Sequence, residues 1–257
     1  QPASPASVPD SEATEVEFQQ GTNMAVAVSP DGTQIISSIQ GTLFTMNAEG
    51  GNATAITDYY FDAREPNWSR DNASIVFQGY REGSWDIWRI EPDGSNPTGL
   101  TDDPFDDREP TYSPIDERII FSSDRSGNYD LWIIDNGQIS QLTDEAENAH
   151  SPAWSADGLS IAYAVDNPDR STEIRTLELA SNQTVAVITE PGVVAGISWR
   201  PDDAALSYQL RSLAGATLKM VTLASNIDEV LSADNADVFP FRATWTDQNT
   251  LVQCCIC

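Results

Sequence analysis

The sequence predicts an all-β fold of repeated four-stranded units, on three features. A turn phrase returns at near-constant spacing, β-branched runs lie between turn signals within each period, and no 3.6-residue apolar period is sustained over about 12 residues. The phrase is an aromatic or apolar residue, a Ser or its substitute, and two or three turn residues. It reads Val28-Ser29-Pro30-Asp31-Gly32, Trp68-Ser69-Arg70-Asp71-Asn72, Tyr112-Ser113-Pro114-Ile115-Asp116 and Trp154-Ser155-Ala156-Asp157-Gly158, with weaker copies at Trp199-Arg200-Pro201-Asp202-Asp203 and Trp245-Thr246-Asp247-Gln248-Asn249. The Ser-equivalent positions 29, 69, 113, 155, 200 and 246 are spaced as the blades of a β-propeller.

Each period carries the parts of a four-stranded meander. Asp-Gly or a relative makes the first tight turn, because such turns need positive φ, which Gly, Asn and Asp tolerate. A β-branched run follows, such as Ile75-Val76-Phe77 or Ile119-Ile120-Phe121. A second hairpin is nearly superimposable between two periods: Tyr80 to Trp88 against Asp124 to Trp132. The outer strand closes on Thr57-Asp58, Thr101-Asp102, Thr143-Asp144 and, more loosely, Thr189-Glu190. The expectation is a six-bladed propeller over residues 14–257, with repeats near 24–64, 65–108, 109–150, 151–195, 196–241 and a partial 242–257. The segment Thr14 to Phe18 is a candidate third strand for that incomplete last blade, and residues 1–13, rich in Pro, Ala and Ser near the start, read as a flexible leader. Stacking such sheets around an axis buries both faces of each one.

Composition narrows the function. Forty acidic residues face 13 basic ones, Lys219 being the only lysine, for a formal net charge of −27. Such a surface repels phosphate backbones and anionic lipid heads, which argues against nucleic-acid and membrane-surface binding. No apolar stretch reaches the length of a transmembrane helix. The start at Gln1 reads as the mature end left by signal-peptide removal or as a cloning boundary, and an exported, monomeric protein is expected. Cysteine is confined to Cys254, Cys255 and Cys257, a weak formal match to a prenylation pattern that reads more simply as a strand or a ragged end.

These repeats resemble the six-bladed propeller of the TolB family, most strongly over residues 21–121. A narrower likeness, in Gly21 to Gly32 and in Asp237-Val238-Phe239-Pro240-Phe241-Arg242, is to the propeller that precedes a metal-dependent amidohydrolase domain in some bacterial two-domain proteins. The resemblance implies a non-catalytic protein-interaction or scaffold module of the periplasm or cell envelope. The alternative it implies is an accessory propeller of an amidohydrolase whose catalytic domain is absent from this chain. In those relatives the hydrolase domain carries a His-x-His strand, whereas this chain has one histidine, His150, so no hydrolysis carries over.

The candidate site lies just before the first strand of successive blades, in Asp62-Ala63-Arg64-Glu65-Pro66, Asp106-Asp107-Arg108-Glu109-Pro110 and Asn148-Ala149-His150-Ser151-Pro152. Such lead-in loops share one mouth of the central channel, so Arg64, Glu65, Arg108, Glu109 and His150 are expected to converge there and bind a protein or peptide partner. Rare cations on a negative chain would anchor a partner's carboxylate. The competing expectation is that each Arg-Glu pair braces its own blade. Arg81, Asp86, Arg125 and Asp130 recur at matching offsets and are expected to stitch their hairpins. No cofactor is expected; Asp124 to Asp130 offers oxygen ligands for Ca²⁺, with Ca²⁺ in the acidic channel as the minor alternative, but lacks EF-hand spacing. Gly158-Leu159-Ser160 is half of a nucleophile elbow in a strand pattern, so no catalytic residue is assigned. Trp68, Trp154, Trp199 and Trp245 share one repeat position and are expected in the core.

Overall fold

The computed structural model describes residues 25–81, 83–213, 215–231, 244–247 and 250–252. The candidate strand 14–18, the leader, the 237–242 segment and the three cysteines lie outside them. The described chain is built of antiparallel four-stranded meanders. Blade 1 comprises β1 (Ala25–Val28), β2 (Gln34–Ile39), β3 (Thr42–Asn47) and β4 (Thr54–Ala55). Blade 2 comprises β5 (Arg64–Trp68), β6 (Ile75–Arg81), β7 (Ser84–Ile90) and β8 (Thr98–Gly99). Blade 3 comprises β9 (Asp107–Tyr112), β10 (Ile119–Ser123), β11 (Asp130–Asp135) and β12 (Gln138–Gln141). Blade 4 comprises β13 (Ala149–Trp154), β14 (Ser160–Asp166), β15 (Thr172–Glu178) and β16 (Gln183–Glu190). Blade 5 comprises β17 (Val193–Trp199), β18 (Ala205–Ser212), β19 (Gly215–Thr222) and β20 (Ile227–Val230).

The expected count of six blades is corrected to five. In the sixth repeat the described residues form only the two-stranded pair β21 (Thr244–Asp247) and β22 (Thr250–Val252). Among the described residues this hairpin has no further strands, so it is not counted as a blade.

The repeated turn phrase forms the same hydrogen-bonded knot in blades 1, 2 and 4. Ser29 Oγ donates to Asp31 (2.7 Å) and accepts from the Gln34 amide (2.9 Å). Ser69 repeats this with Asp71 and Ser74, and Ser155 with Asp157 and Ser160. Where Gly is replaced, Asn72 and Asp203 adopt the same left-handed backbone, φ +61° and +55°. Their side chains reach the preceding blade's turn: Asn72 Oδ1 accepts from the Asp31 amide, and Asp203 from the amides of Ala156 (2.6 Å) and Asp157 (3.1 Å).

Each β-branched run is buried on both faces because it lies between two neighbours. Ile75 and Phe77 pack toward blade 1, while Val76, between them, packs with Ile119 and Phe121 of blade 3. Ile120 faces the other way, onto Tyr163 and Val165 of blade 4. Alternation along the strands thus supplies one apolar cluster to each interface between successive blades. The recurrent tryptophans close these interfaces. The indole N–H of Trp68 donates to the Ala27 carbonyl, that of Trp154 to Thr111 and that of Trp199 to Ala153, each on the first strand of the preceding blade.

The closing threonines tie each outer strand to the third. Thr57, Thr101 and Thr143 hydroxyls accept from the amides of Leu43, Ile87 and Leu131 at 2.8–2.9 Å. Thr101 donates onward to Asp86 and Thr143 to Asp130, so these aspartates do stitch their hairpins. Arg125 joins them, its Nε donating to Ser123 Oγ at the base of its own hairpin turn (2.9 Å), and also pairs with Asp103 and Asp107 of its blade's lead-in loop; Arg81 does otherwise and lies over the rings of Phe61 and Trp88.

Candidate functional site

The first strands β1, β5, β9, β13 and β17 pack successively against one another and so lie innermost. Their leading ends share one rim with the tips of the β6–β7 and β10–β11 hairpins, because antiparallel pairing sets Arg64 opposite Gln78 and Tyr80 opposite Trp85. The leading ends of β5, β9 and β13 each carry a bulge. Glu65, Glu109 and Ser151 take left-handed φ of +49°, +55° and +53°, and the register slips just after Arg64 and His150 and alongside Arg108. A proline follows in each, matching a position without a ladder hydrogen bond.

This bulge aims the residue before it, and Arg64 and Arg108 flank one indole. The Arg64 guanidinium lies 5.0 Å and that of Arg108 5.5 Å from the Trp85 ring centre, and Arg108 lies 5.6 Å from Tyr129. Tyr80 joins at 5.3 Å from Trp85. The result is a ladder, Tyr80–Trp85–Arg108–Tyr129, with Arg64 on the same indole. Asp106 pins it: Oδ1 accepts from the Trp85 amide and Oδ2 from Arg108 (2.7 Å) and the Tyr129 hydroxyl. Burial pushes the Tyr129 phenol up to about 12, so it remains a donor.

Neither arginine pairs with the glutamate beside it. Arg64 closes on Asp62 (2.8 Å) and Arg108 on Asp106 (2.7 Å), both side chains about 40% exposed. They are therefore not the free cations that the sequence suggested. Glu109 instead crosses to blade 4, where its carboxylate accepts from the Ser151 amide (2.6 Å), while its own amide donates to Gln78 of blade 2 (2.8 Å). Glu65 is partly buried on the same rim.

His150 bonds through Nε2 to Asp166 and through Nδ1 to Ser151 Oγ, both at 3.3 Å. Burial disfavours its cation, but the Asp166 hydrogen bond and the Glu109 and Asp166 charges outweigh that and raise its pKa. This Ser–His–Asp contact is a poor nucleophile site. Ser151 is 2% exposed, and its Oγ also faces the Glu109 carboxylate, which would oppose a developing alkoxide. Among the described residues no group of three or more His, Cys, Asp or Glu is arranged to hold a metal. Asp124 accepts from the Asp106 amide, and Asp130 from Thr143 and the Glu145 amide.

The rim rings were not assigned to the site from sequence, although the paired hairpins containing Trp85 and Tyr129 were visible as a repeat. A second missed signal is the doublet Phe61-Asp62 and Phe105-Asp106, which begins both lead-in loops. The tryptophan position, expected as core, is buried at Trp68 and Trp154, and at the other end of the first strands Trp154, Trp199, Trp245 and Tyr112 also edge a pocket of about 270 Å³.

The family model for the TolB β-propeller domain matches residues 86–247. Among solved structures, the chain is similar to TolB from Acinetobacter baumannii, at 21% identity and a TM-score of 0.73, covering 82% of this chain and 54% of that one. A putative TolB from Agrobacterium tumefaciens aligns at 22% identity and 0.61, covering 72% and 71%. The chain thus spans about half the length of the Acinetobacter protein. The nidogen/laminin complex contains a chain of similar fold at 10% identity and 0.70, covering 82% and 80%. Comparison with curated proteins gives no match.

Proposed function

The chain belongs to the TolB β-propeller family, and from that premise we propose that it is a non-catalytic interaction module of the cell envelope. It engages a protein or peptide at the rim that carries Arg64, Glu65, Arg108, Glu109 and His150. The observation behind this reading is the ladder around Trp85. Tryptophan, tyrosine and arginine, partly exposed and held by hydrogen bonds from behind, are the side chains that dominate binding energy at protein interfaces. Their rotamers are already restrained by Asp62 and Asp106, which lowers the ordering cost of association.

The test is site-directed photocross-linking. A photoreactive residue at Tyr80, at the end of the ladder, should capture a discrete partner from an envelope extract, and one at Val185 on the outer strand β16 should not. The captured partner, purified, should bind the Trp85→Ala variant at least about tenfold more weakly while the melting temperature changes by only a few degrees. Equal capture from both positions, or unchanged affinity, would sink the proposal.

A further inference from the structure

On blade 2 the rim carries two rings that the ladder does not use, Tyr59 and Tyr60, beside the ladder's own end ring, Tyr80. Tyr59 and Tyr60 are 66% and 65% exposed, their ring centres 4.0 Å apart, and Tyr80 is 45% exposed. They are held in place from beneath. Tyr59–Phe61 is a single 3-10 turn capped by Asp58, and its third residue, Phe61, is buried against Phe77 and Trp88 at 5.7 and 5.0 Å. The strand β6 comes so close there that a Cβ on Gly79 would lie 3.3 Å from the Phe61 carbonyl. The loop is equally fixed on its other side, where a Cβ on Gly41 would meet Asp62 Cα at 2.9 Å. The exposed tyrosines therefore stand on a rigid base, which distinguishes them from side chains on a loose loop.

The charge around them is what selects an occupant. The lead-in loops 58–65 and 102–109 hold eight carboxylates against two arginines. Both arginines are closed on their own Asp62 and Asp106, and Arg125 is shared between Asp103 and Asp107. Arg81, over Phe61 and Trp88, adds one more cation at this surface, and even with it the carboxylates of the two loops stay in excess around the exposed ring faces. A ring face attracts a cation through its quadrupole, and a long Lys or Arg stem covers apolar surface while its head stays near carboxylates. The net charge of −27 steers such a segment inward from a distance.

We propose that the Tyr59–Tyr60–Tyr80 surface of blade 2 receives a Lys- or Arg-bearing segment of a partner protein. This rests on the rim being a binding surface and adds the chemistry of what binds. It also reverses the sign suggested by the arginines alone, which would have selected a carboxylate.

The probe is a fluorescein-labelled peptide alternating Lys with Ala and Pro, compared with its Glu and Ser counterparts and with maltohexaose as a competitor. Anisotropy titrations use the whole chain and two variants, Tyr59→Ser with Tyr60→Ser, and Leu159→Ser, an exposed apolar residue on the opposite end of blade 4. The Lys peptide alone should bind, and the double tyrosine variant should weaken it by about fivefold or more, since two cation–π contacts are lost. Leu159→Ser should leave it unchanged, and circular dichroism should show both variants folded. Equal weakening in all forms, or none, would reduce the interaction to diffuse charge attraction and overturn the proposal. Displacement by maltohexaose would overturn it in favour of a carbohydrate. If a captured partner needs Trp85 but not the tyrosines, the rim remains a binding surface and this inference fails alone.

Discussion

Trp154 illustrates how one side chain can hold two blades. Its ring is buried among Ile120, Leu131 and Ile161, its indole N–H reaches the Thr111 carbonyl at 3.1 Å, and Arg118 covers its face at 5.0 Å. Trp154→Ala should cost about 3–5 kcal/mol, and Trp154→Phe, which keeps a ring but loses the hydrogen bond, about 1–2 kcal/mol. Urea denaturation of both variants checks the ordering. Asp86 sets a second expectation at this scale. Burial, opposed by the Thr101 hydrogen bond and reinforced by the nearby Asp107 charge, lifts its pKa from 3.8 to about 6. A carboxyl whose folded pKa exceeds its unfolded one holds its proton more tightly when folded. Its effect is therefore absent below about pH 4, and stability falls as pH rises through 6, by up to about 3 kcal/mol. His150, also raised, acts in the same direction, since its favourable contribution is lost as pH rises through its folded pKa. Melting temperature should thus be higher near pH 5 than near pH 7.5. Asp86→Asn should flatten much of that slope, because the Asn carbonyl can still accept from Thr101. A slope that Asp86→Asn leaves intact would contradict the assignment.

At the scale of elements, the first turn of blade 5 separates two accounts of the same residue. If Asp203 were present only because its backbone is left-handed, Asp203→Gly would be neutral or stabilising. Because its carboxylate accepts two amides of the blade 4 turn, the substitution should cost about 1–3 kcal/mol, read from chemical denaturation. The sequence showed the turn and its positive φ, since Asp stood where Gly was expected. It could not show the bond to Ala156 and Asp157, which depends on how adjacent blades nest. The same division runs through the site. The spacing of Arg64 and Arg108 placed both at one rim, but the pairing of Arg64 with Asp62 and of Arg108 with Asp106 depends on the bulge, which turns Glu109 away to Ser151. The Trp85 and Tyr129 rings were legible as a repeat and not as a surface, because burial along a hairpin is set by the neighbouring blade. Meander strands and alternating cores were readable because they depend on local period alone, while the sixth repeat was over-read from its turn phrase.

Taken whole, the molecule is a stack of meanders whose sheets exchange apolar faces, with its chemistry on the two ends of the inner strands. Excess negative charge spread over such a stack opposes compaction, so moderate salt should raise the melting temperature, most clearly at neutral pH. The central claim is that the rim around Trp85 is where a partner docks. Hydrogen exchange of the purified complex with the cross-linked partner's free form tests it most directly. Amides of the Tyr80–Trp85 hairpin and of the 102–109 loop should gain protection on binding, while the turns at 70–72 and 156–158, on the opposite end, should not change. Protection confined to those opposite turns, or spread evenly over both ends, would contradict the account.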